Sequence, residues 1–536
     1  MRARAVSRLA GSSVRPEIAI NAKNLPRRRA LLSAAALILA AAGPAGAAPT
    51  TPPGDLPTAL AAAQEAAGRE DCAAVLRALD PFVPTLEKGD ERTLVQRMRL
   101  FCLGRESRYE DLAGTQRELA GLLPRDGVVR AFGVLIAAGE SRFVDAAEQL
   151  ATLAATSPDN LDMLTGAAVR EISNQLSRAD GPQARDAREG MLIALTRADW
   201  WPADLPEMRS WFAGVAIAAL IRRNEAAEAE GLIDRVDEPE LLTAMLVDRQ
   251  FAALWPAIEA QVGPAGATSV DRYARDRLSA FATSPDSEAA LRHAAAAMLL
   301  LGRYQDALDM TGGVAVADGM SRDAVQIALL RSRALAALRR GDEAERQLQG
   351  FMTVDLERTP EAATALISYA ELLDENGHWA QGLEAARGAR TRAATYLNEF
   401  GLRWLDRTEV CTLSALGRAG EASAAMGRLK PMAAQNHAAA IEALLCARRD
   451  AEASALTLEA FKDEDAAGEL LLQFQPTGSF HAAAPSRLRD LWAAFLKRPE
   501  IKAAFDRRGR ILPRAYWQTP EPRDIPRRRG GGDSLT

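Results

Sequence analysis

The chain is poor in histidine and in aromatic residues, and it has no long apolar run. Its four histidines, at positions 293, 378, 437 and 481, are too far apart to make a metal-ligand pair on a helix, and no H-E-x-x-H occurs. Neither a metal nor a cofactor is expected. Also missing are G-x-x-x-x-G-K-[ST], a G-x-G-x-x-G following a strand, and G-x-S-x-G, so phosphate cradling and a serine nucleophile elbow have no seat. Strand-like alternation of apolar and polar residues is essentially absent. Aromatic residues make up 5% of a chain that is 48% apolar, which implies a thin core of Ala and Leu between closely packed helices. The most apolar stretch, Ala30 to Ala42, is roughly 13 residues, well below the ~20 that cross a bilayer as a helix.

What is present begins with an uneven charge. The formal charge is -5. Residues 1–47 carry eight Arg and Lys against Glu17, a net of +7, and residues 485–536 carry thirteen against six acids, another +7. Residues 48–484 therefore hold -5 - 7 - 7 = -19. An acidic body argues against nucleic acid as a partner, because a phosphate backbone needs a basic binding face. The N-terminus reads as an export signal: Arg27-Arg28-Arg29, the apolar run, then small residues from Gly43 to Ala48, with cleavage expected after Ala47. A periplasmic location follows from that reading, with no permanent membrane span. Arg28-Arg29-Ala30-Leu31-Leu32 loosely resembles a twin-arginine signal.

A period of 34 residues separates Tyr109-Glu110-Asp111-Leu112 from Phe143-Val144-Asp145-Ala146, and each aromatic is followed fifteen residues later by proline, Pro124 and Pro158. Ala227 and Pro239 repeat part of that spacing. Further copies stand at Leu301-Gly302-Arg303-Tyr304-Gln305-Asp306-Ala307-Leu308, at Gly377-His378-Trp379 with Gly382, and at Gly417-Arg418-Ala419 with Ala422. Gly341-Asp342-Glu343-Ala344 is a compressed version, and Gly68-Arg69-Glu70 and Arg448-Arg449-Asp450 are weaker ones. Helical apolar spacing accompanies them, as in Ile327, Leu330, Ala334 and Leu338.

These residues resemble the tetratricopeptide (TPR) repeat, in an exported, periplasmic type, over most of residues 56–470. The resemblance implies an all-α fold, an α-solenoid of TPR-like helix pairs with a short C-terminal helical cap. The expected organisation is a cleaved signal peptide (1–47), N-terminal TPR-like repeats (48–160), irregular helical repeats (161–284), C-terminal TPR-like repeats (285–475), a helical cap (476–517) and a disordered basic tail (518–536). From Arg507 onward the basic tail is expected to fold back on the acidic body or to bind an anionic surface. Trp200, Trp201 and Trp211, clustered around Pro202 and Pro206, are expected to staple neighbouring repeats.

Function follows from the resemblance as protein binding: a non-catalytic scaffold or adaptor of the bacterial cell envelope, holding a protein or peptide ligand in its concave groove, with an envelope complex as a further setting. The alternatives are a structural subunit of an envelope machine for motility, secretion or polymer export, and a cytoplasmic adaptor whose leader is unused. In such arrays the first helix of each pair lines the groove. Arg97, Arg292 and Arg407 stand twelve residues before the aromatic slot of their copies, and Arg331 stands ten before Gly341. Arg292 and Arg331 would grip a carboxylate by forked hydrogen bonds; the competing reading pairs these arginines with acids such as Glu371, Asp374 and Glu375. Arg105-Glu106-Ser107 superficially matches the Glu-Ser pair of soluble lytic transglycosylases, but it falls in a repeat turn, and no catalysis is expected. The four cysteines fall as two local pairs, Cys72 with Cys102 and Cys411 with Cys446, open to oxidation after export or to burial as small apolar side chains.

Overall fold

A computed structural model describes residues 54–179, 181–476, 486–517 and 521–526. The expected signal peptide lies outside the described residues, as do 518–520 and 527–536 of the expected tail. The described residues are helical and contain no strand; Asp248 and Gly509 form an isolated antiparallel bridge. They divide into two compact units, one ending at Ala219 and the other starting at Leu220. That division falls inside the stretch 161–284.

In the first unit the helices are α1 (Leu56–Gly68), α2 (Cys72–Leu79), α3 (Asp90–Arg105), α4 (Tyr109–Leu122), α5 (Gly127–Gly139), α6 (Phe143–Thr156), α7 (Gly166–Arg178) and α8 (Pro182–Arg197). A ninth helix, α9 (Met208–Arg222), runs past its boundary. Each of α1 to α8 packs on its chain neighbour, and α5 also touches α7, the stacking expected of helix pairs that cannot bury their apolar faces alone. Trp200 is buried beside Phe212, with ring centroids 6.3 Å apart, and its indole donates to Asp162 at 2.9 Å. Trp201 stays 43% exposed under the Arg209 guanidinium.

The second unit contains α10 (Ala226–Gly231), α11 (Pro239–Val247), α12 (Trp255–Val262) and α13 (Ala267–Thr283). Five regular hairpins follow: α14 (Glu288–Leu300) with α15 (Tyr304–Met310), α16 (Arg322–Ala337) with α17 (Gly341–Gln349), α18 (Ala363–Glu375) with α19 (Trp379–Ala393), α20 (Glu399–Ala415) with α21 (Ala419–Leu429), and α22 (His437–Cys446) with α23 (Asp450–Ala460). The unit ends with α24 (Glu464–Gln473), α25 (Arg487–Phe495) and α26 (Pro499–Arg508). First helices α14, α16, α18, α20 and α22 lie side by side, while each second helix packs on the first helix that follows it.

One turn builds these hairpins. The residue after the first helix's last turn is left-handed at Glu70, Ser107, Ser141, Asn224, Gly302, Arg339, Gly377, Gly417 and Arg448. The next amide then donates to a carbonyl in the helix's last turn, as from Arg142 to the Ala137 carbonyl at 2.8 Å and from Arg418 to that of Leu413 at 2.9 Å, which satisfies an acceptor the helix end leaves open. Most first helices are started by a capping side chain, such as Asp126 to the amides of Val128 and Val129, Asn398 to Gly401 and Asn436 to Ala439.

This geometry corrects three assignments of register: in the copy placed at Gly68 that residue ends α1 and the left-handed residue is Glu70. In the copy placed around Gly341 the left-handed residue is Arg339, and Gly341 is the first residue of α17. In the copy placed around Ala227 it is Asn224, so the buried alanine equivalent to Ala146 is Ala229, and Pro239 opens α11 instead of ending a second helix. In these copies the turn has neither its glycine nor its aromatic, and a nearby glycine or alanine shifts the reading by two residues.

The C-terminal segment covers the last hairpin, α26 lying on α23 and α24, and then extends across the unit. Helix α24 itself touches α11, so the unit's two ends meet. Arg510 donates to the carbonyls of Val247 and Leu246 and to Glu259, with its guanidinium 3.6 Å over the Trp255 ring. Residues 521–526, expected to be part of a disordered tail, are held in place: the Arg523 amide donates to the Leu301 carbonyl and its side chain pairs with Asp271 at 2.7 Å.

Candidate interaction groove

The most concentrated chemistry in the second unit is a buried charge cluster on the first helices α18, α20 and α22. Arg407, in the middle of α20, is fully buried. Its Nη2 donates to Glu371 Oε1 on α18 at 2.8 Å, its Nε lies 3.0 Å from Glu442 Oε1 on α22, and its Nη1 lies 3.6 Å from Asp374 Oδ2 on α18. Successive first helices place these side chains side by side because α18 packs on α20 and α20 on α22. The Trp404 ring, one helical turn earlier, lies 5.0 Å from the guanidinium.

Helix α25 closes over this cluster. Arg487 Nη2 donates to Asp374 Oδ1 at 2.7 Å, Ser486 Oγ to Glu375 Oε1 at 2.7 Å, and Trp492 Nε1 to Glu442 Oε2 at 2.7 Å. Arg489 reaches the Leu472 carbonyl at 3.0 Å. Behind it, Phe474 centres an aromatic group with Phe461, Trp492, Phe495 and Phe505, at centroid distances of 5.0 to 6.2 Å. Burial pushes the Asp374 carboxyl up to about 6, against the pull of Arg407 and Arg487 and with the help of Glu375 and Glu442. Burial likewise lowers the Arg489 guanidinium.

The four arginines expected in the groove all have partners within the chain. Arg97 pairs with Asp126, the cap of the next first helix, at 2.9 Å, and remains 53% exposed. Arg292 pairs with Asp323 in the first turn of α16 at 2.6 Å. Arg407 spans three first helices as described. These three share a register and tie neighbouring hairpins together. Arg331 does not share it, because its turn is displaced by two residues, and it donates instead to the Leu308 carbonyl and to Thr311 Oγ1 at the end of α15. Arg292 and Arg331, expected to share a carboxylate, thus serve different partners within the chain. Glu106 is exposed and Ser107 takes the left-handed position of the α3–α4 turn, so this pair lies in no cleft.

One recurring pair goes beyond the sequence pattern described above. The residue after the left-handed position is arginine in six copies and pairs with the acid three residues on: Arg108–Asp111, Arg142–Asp145, Arg303–Asp306, Arg340–Glu343, Arg418–Glu421 and Arg449–Glu452. The signal is Arg-x-x-[Asp/Glu] preceding a buried residue, Leu112 in the first copy and alanine in the other five, and it is a surface feature of modest energetic weight.

Cys72 is bonded to Cys102 with Cα atoms 4.8 Å apart, and Cys411 to Cys446 at 5.0 Å. Among the described residues no set of His, Cys, Asp and Glu is arranged to hold a metal, and no helix is long and apolar enough to cross a membrane.

No family model matches the sequence, and no curated protein matches it. Among solved structures the chain is similar to the crystal structure of the APC/C hetero-tetramer Cut9-Hcn1, at 13% identity and a TM-score of 0.27 over 85% of this chain and 90% of that one.

Proposed function

We propose that the protein is a non-catalytic scaffold of the bacterial cell envelope that binds other proteins through the first-helix faces of its TPR-like hairpins. The observation that carries this reading is the seat of α25: side chains of α18 and α22 hold a helix that lies more than a hundred residues downstream of α18, through an ion pair and an indole hydrogen bond. Holding a helical segment on stacked first helices is what a scaffold of this architecture does. Export is supported by the basic leader with its short apolar run and by two cysteine pairs at bonding geometry, which suit an oxidising compartment. The test is photocrosslinking of the full chain in cells, with fractionation of the same culture. Specific protein adducts in the periplasmic fraction are expected. A chain confined to the cytoplasm would overturn the location, and a chain that crosslinks to no protein at any first-helix position would overturn the scaffold.

A further inference from the structure

Without α25, the floor beneath it is strongly acidic. Asp374, Glu375 and Glu442 lose Arg487, Ser486 and Trp492, while Arg407 stays between Glu371, Asp374 and Glu442. Asp374 and Glu442 are among the most buried charged residues of the chain, so uncovering them leaves carboxylates in a partly apolar site, and a cation is the cheapest cover. Helix α25 supplies two, Arg487 and Arg489, and adds the Trp492 indole, whose N–H satisfies Glu442 while its ring meets Phe474.

The occupant depends on docking for its fold. At nine residues, α25 is far below the ~12–15 at which an isolated helix becomes marginal in water. It is helical because it is docked, and the ordering cost opposes docking. A longer helix with the same side chains, already formed in its own protein, meets a smaller cost.

We infer that the floor of Glu371, Asp374, Glu375 and Glu442 is a docking site for a cationic, tryptophan-bearing helix of a partner protein, which α25 occupies in the partner's absence. This rests on the scaffold reading above and names the chemistry of its ligand. The recognition pattern is two basic residues spaced as Arg487 and Arg489, followed by an indole at the place of Trp492. Occupancy in cis gives α25 a high local concentration, so a partner binds with an apparent affinity reduced by the fraction of chains in which the floor is open.

The probe is a fluorescent synthetic peptide of residues 486–498, titrated by anisotropy into the full chain and into its Arg487→Glu variant. The variant places a fifth carboxylate against Asp374 and drives α25 off the floor. It is expected to bind the peptide about 100-fold more tightly than the unaltered chain does. A peptide carrying Trp492→Ala or Arg487→Glu is expected to lose that gain. A variant that melts cooperatively but fails to bind the peptide overturns the inference. Should the variant not fold, hydrogen exchange on the isotopically labelled wild-type chain decides: millimolar peptide should strip protection from 487–496 while leaving α18 and α20 protected. Unchanged protection there overturns the inference. A wild-type chain found to be a dimer with exchanged α25 helices would assign the floor to a second copy and overturn the hetero-partner. Peptide binding is measured without any cellular partner, so it stands or falls separately from the crosslinking test.

Discussion

Arg407 donates to Glu371 across adjacent first helices at 2.8 Å, and no part of Arg407 reaches solvent. The pair forms because α18 packs on α20, and Glu442 on α22 extends it to three helices. Arg407→Ala takes the shared guanidinium from Glu371 and Glu442 and leaves Asp374 to Arg487 alone, beside a cavity. Loss of about 3–5 kcal/mol is expected from urea unfolding. Arg407→Met fills the volume and lacks the charge, so it tests whether packing or pairing dominates; a loss equal to that of Ala assigns the effect to charge.

Asp374 gives the second unit a pH dependence of defined sign. Its carboxyl moves from an ordinary 3.8 to about 6 in the fold, so the folded chain holds this proton more tightly than the unfolded chain. The resulting stabilisation is fully present below about pH 4 and is lost as pH rises through about 6. Asp374→Asn removes it. Between pH 4 and pH 7 the wild type is expected to lose about 3 kcal/mol more than the variant does. Equal slopes of urea midpoint against pH would contradict this. Asp248, also raised to about 6 by burial, adds a contribution of the same sign beside the bridge to Gly509.

The helix pairs are legible in the sequence because helical apolar spacing and the turn motif are local signals. The aromatic after the turn and the buried residue three further on mark α4, α6 and α15 correctly in Tyr109, Phe143 and Tyr304. Register is lost where the turn lacks both its glycine and its aromatic and a nearby glycine or alanine stands in for them. A left-handed arginine at 339 carries no composition signal, and the nearby Gly341 supplies a false one. Arg407 is recognisable as a first-helix residue, but its role is not, since a spacing rule cannot tell an open groove from one filled by a later segment. Contact between Arg487 and Asp374 spans 113 residues and depends on the stacking of several hairpins. No local pattern encodes it. The acids Glu371 and Asp374 are visible as neighbours one repeat earlier, whereas Glu442 and the indole of Trp492 are not.

The two cysteine pairs close loops whose ends are 30 and 35 residues apart, each tying one hairpin to the next. Cys411→Ser is expected to cost about 2–4 kcal/mol, mainly by freeing the unfolded chain. Cys72→Ser falls in the same range. Thiol counting on the exported protein, unfolded without reductant, should find none; four reactive thiols would show that the pairs stay reduced in the cell.

The left-handed turn positions make a prediction that separates backbone from side chain. Ser141 and Arg339 sit at φ 62, and Gly302 at φ 71, in equivalent turns. A side chain with a Cβ is strained there by about 1–2 kcal/mol, whereas glycine is not. Glycine also costs more to order from the unfolded chain, by about 0.5–1 kcal/mol. The strain outweighs that ordering cost, so Ser141→Gly and Arg339→Gly should each stabilise, by up to about 1 kcal/mol. Gly302→Ala should destabilise by a similar amount. At Gly302 a Cβ would stand 3.5 Å from the Pro522 Cα in the segment that crosses α14 and α15. That distance is ordinary contact, so the backbone strain decides. Thermal melting of the three variants measures it, and a destabilised Arg339→Gly would mean that the Arg339 side chain contributes more than its backbone strain removes.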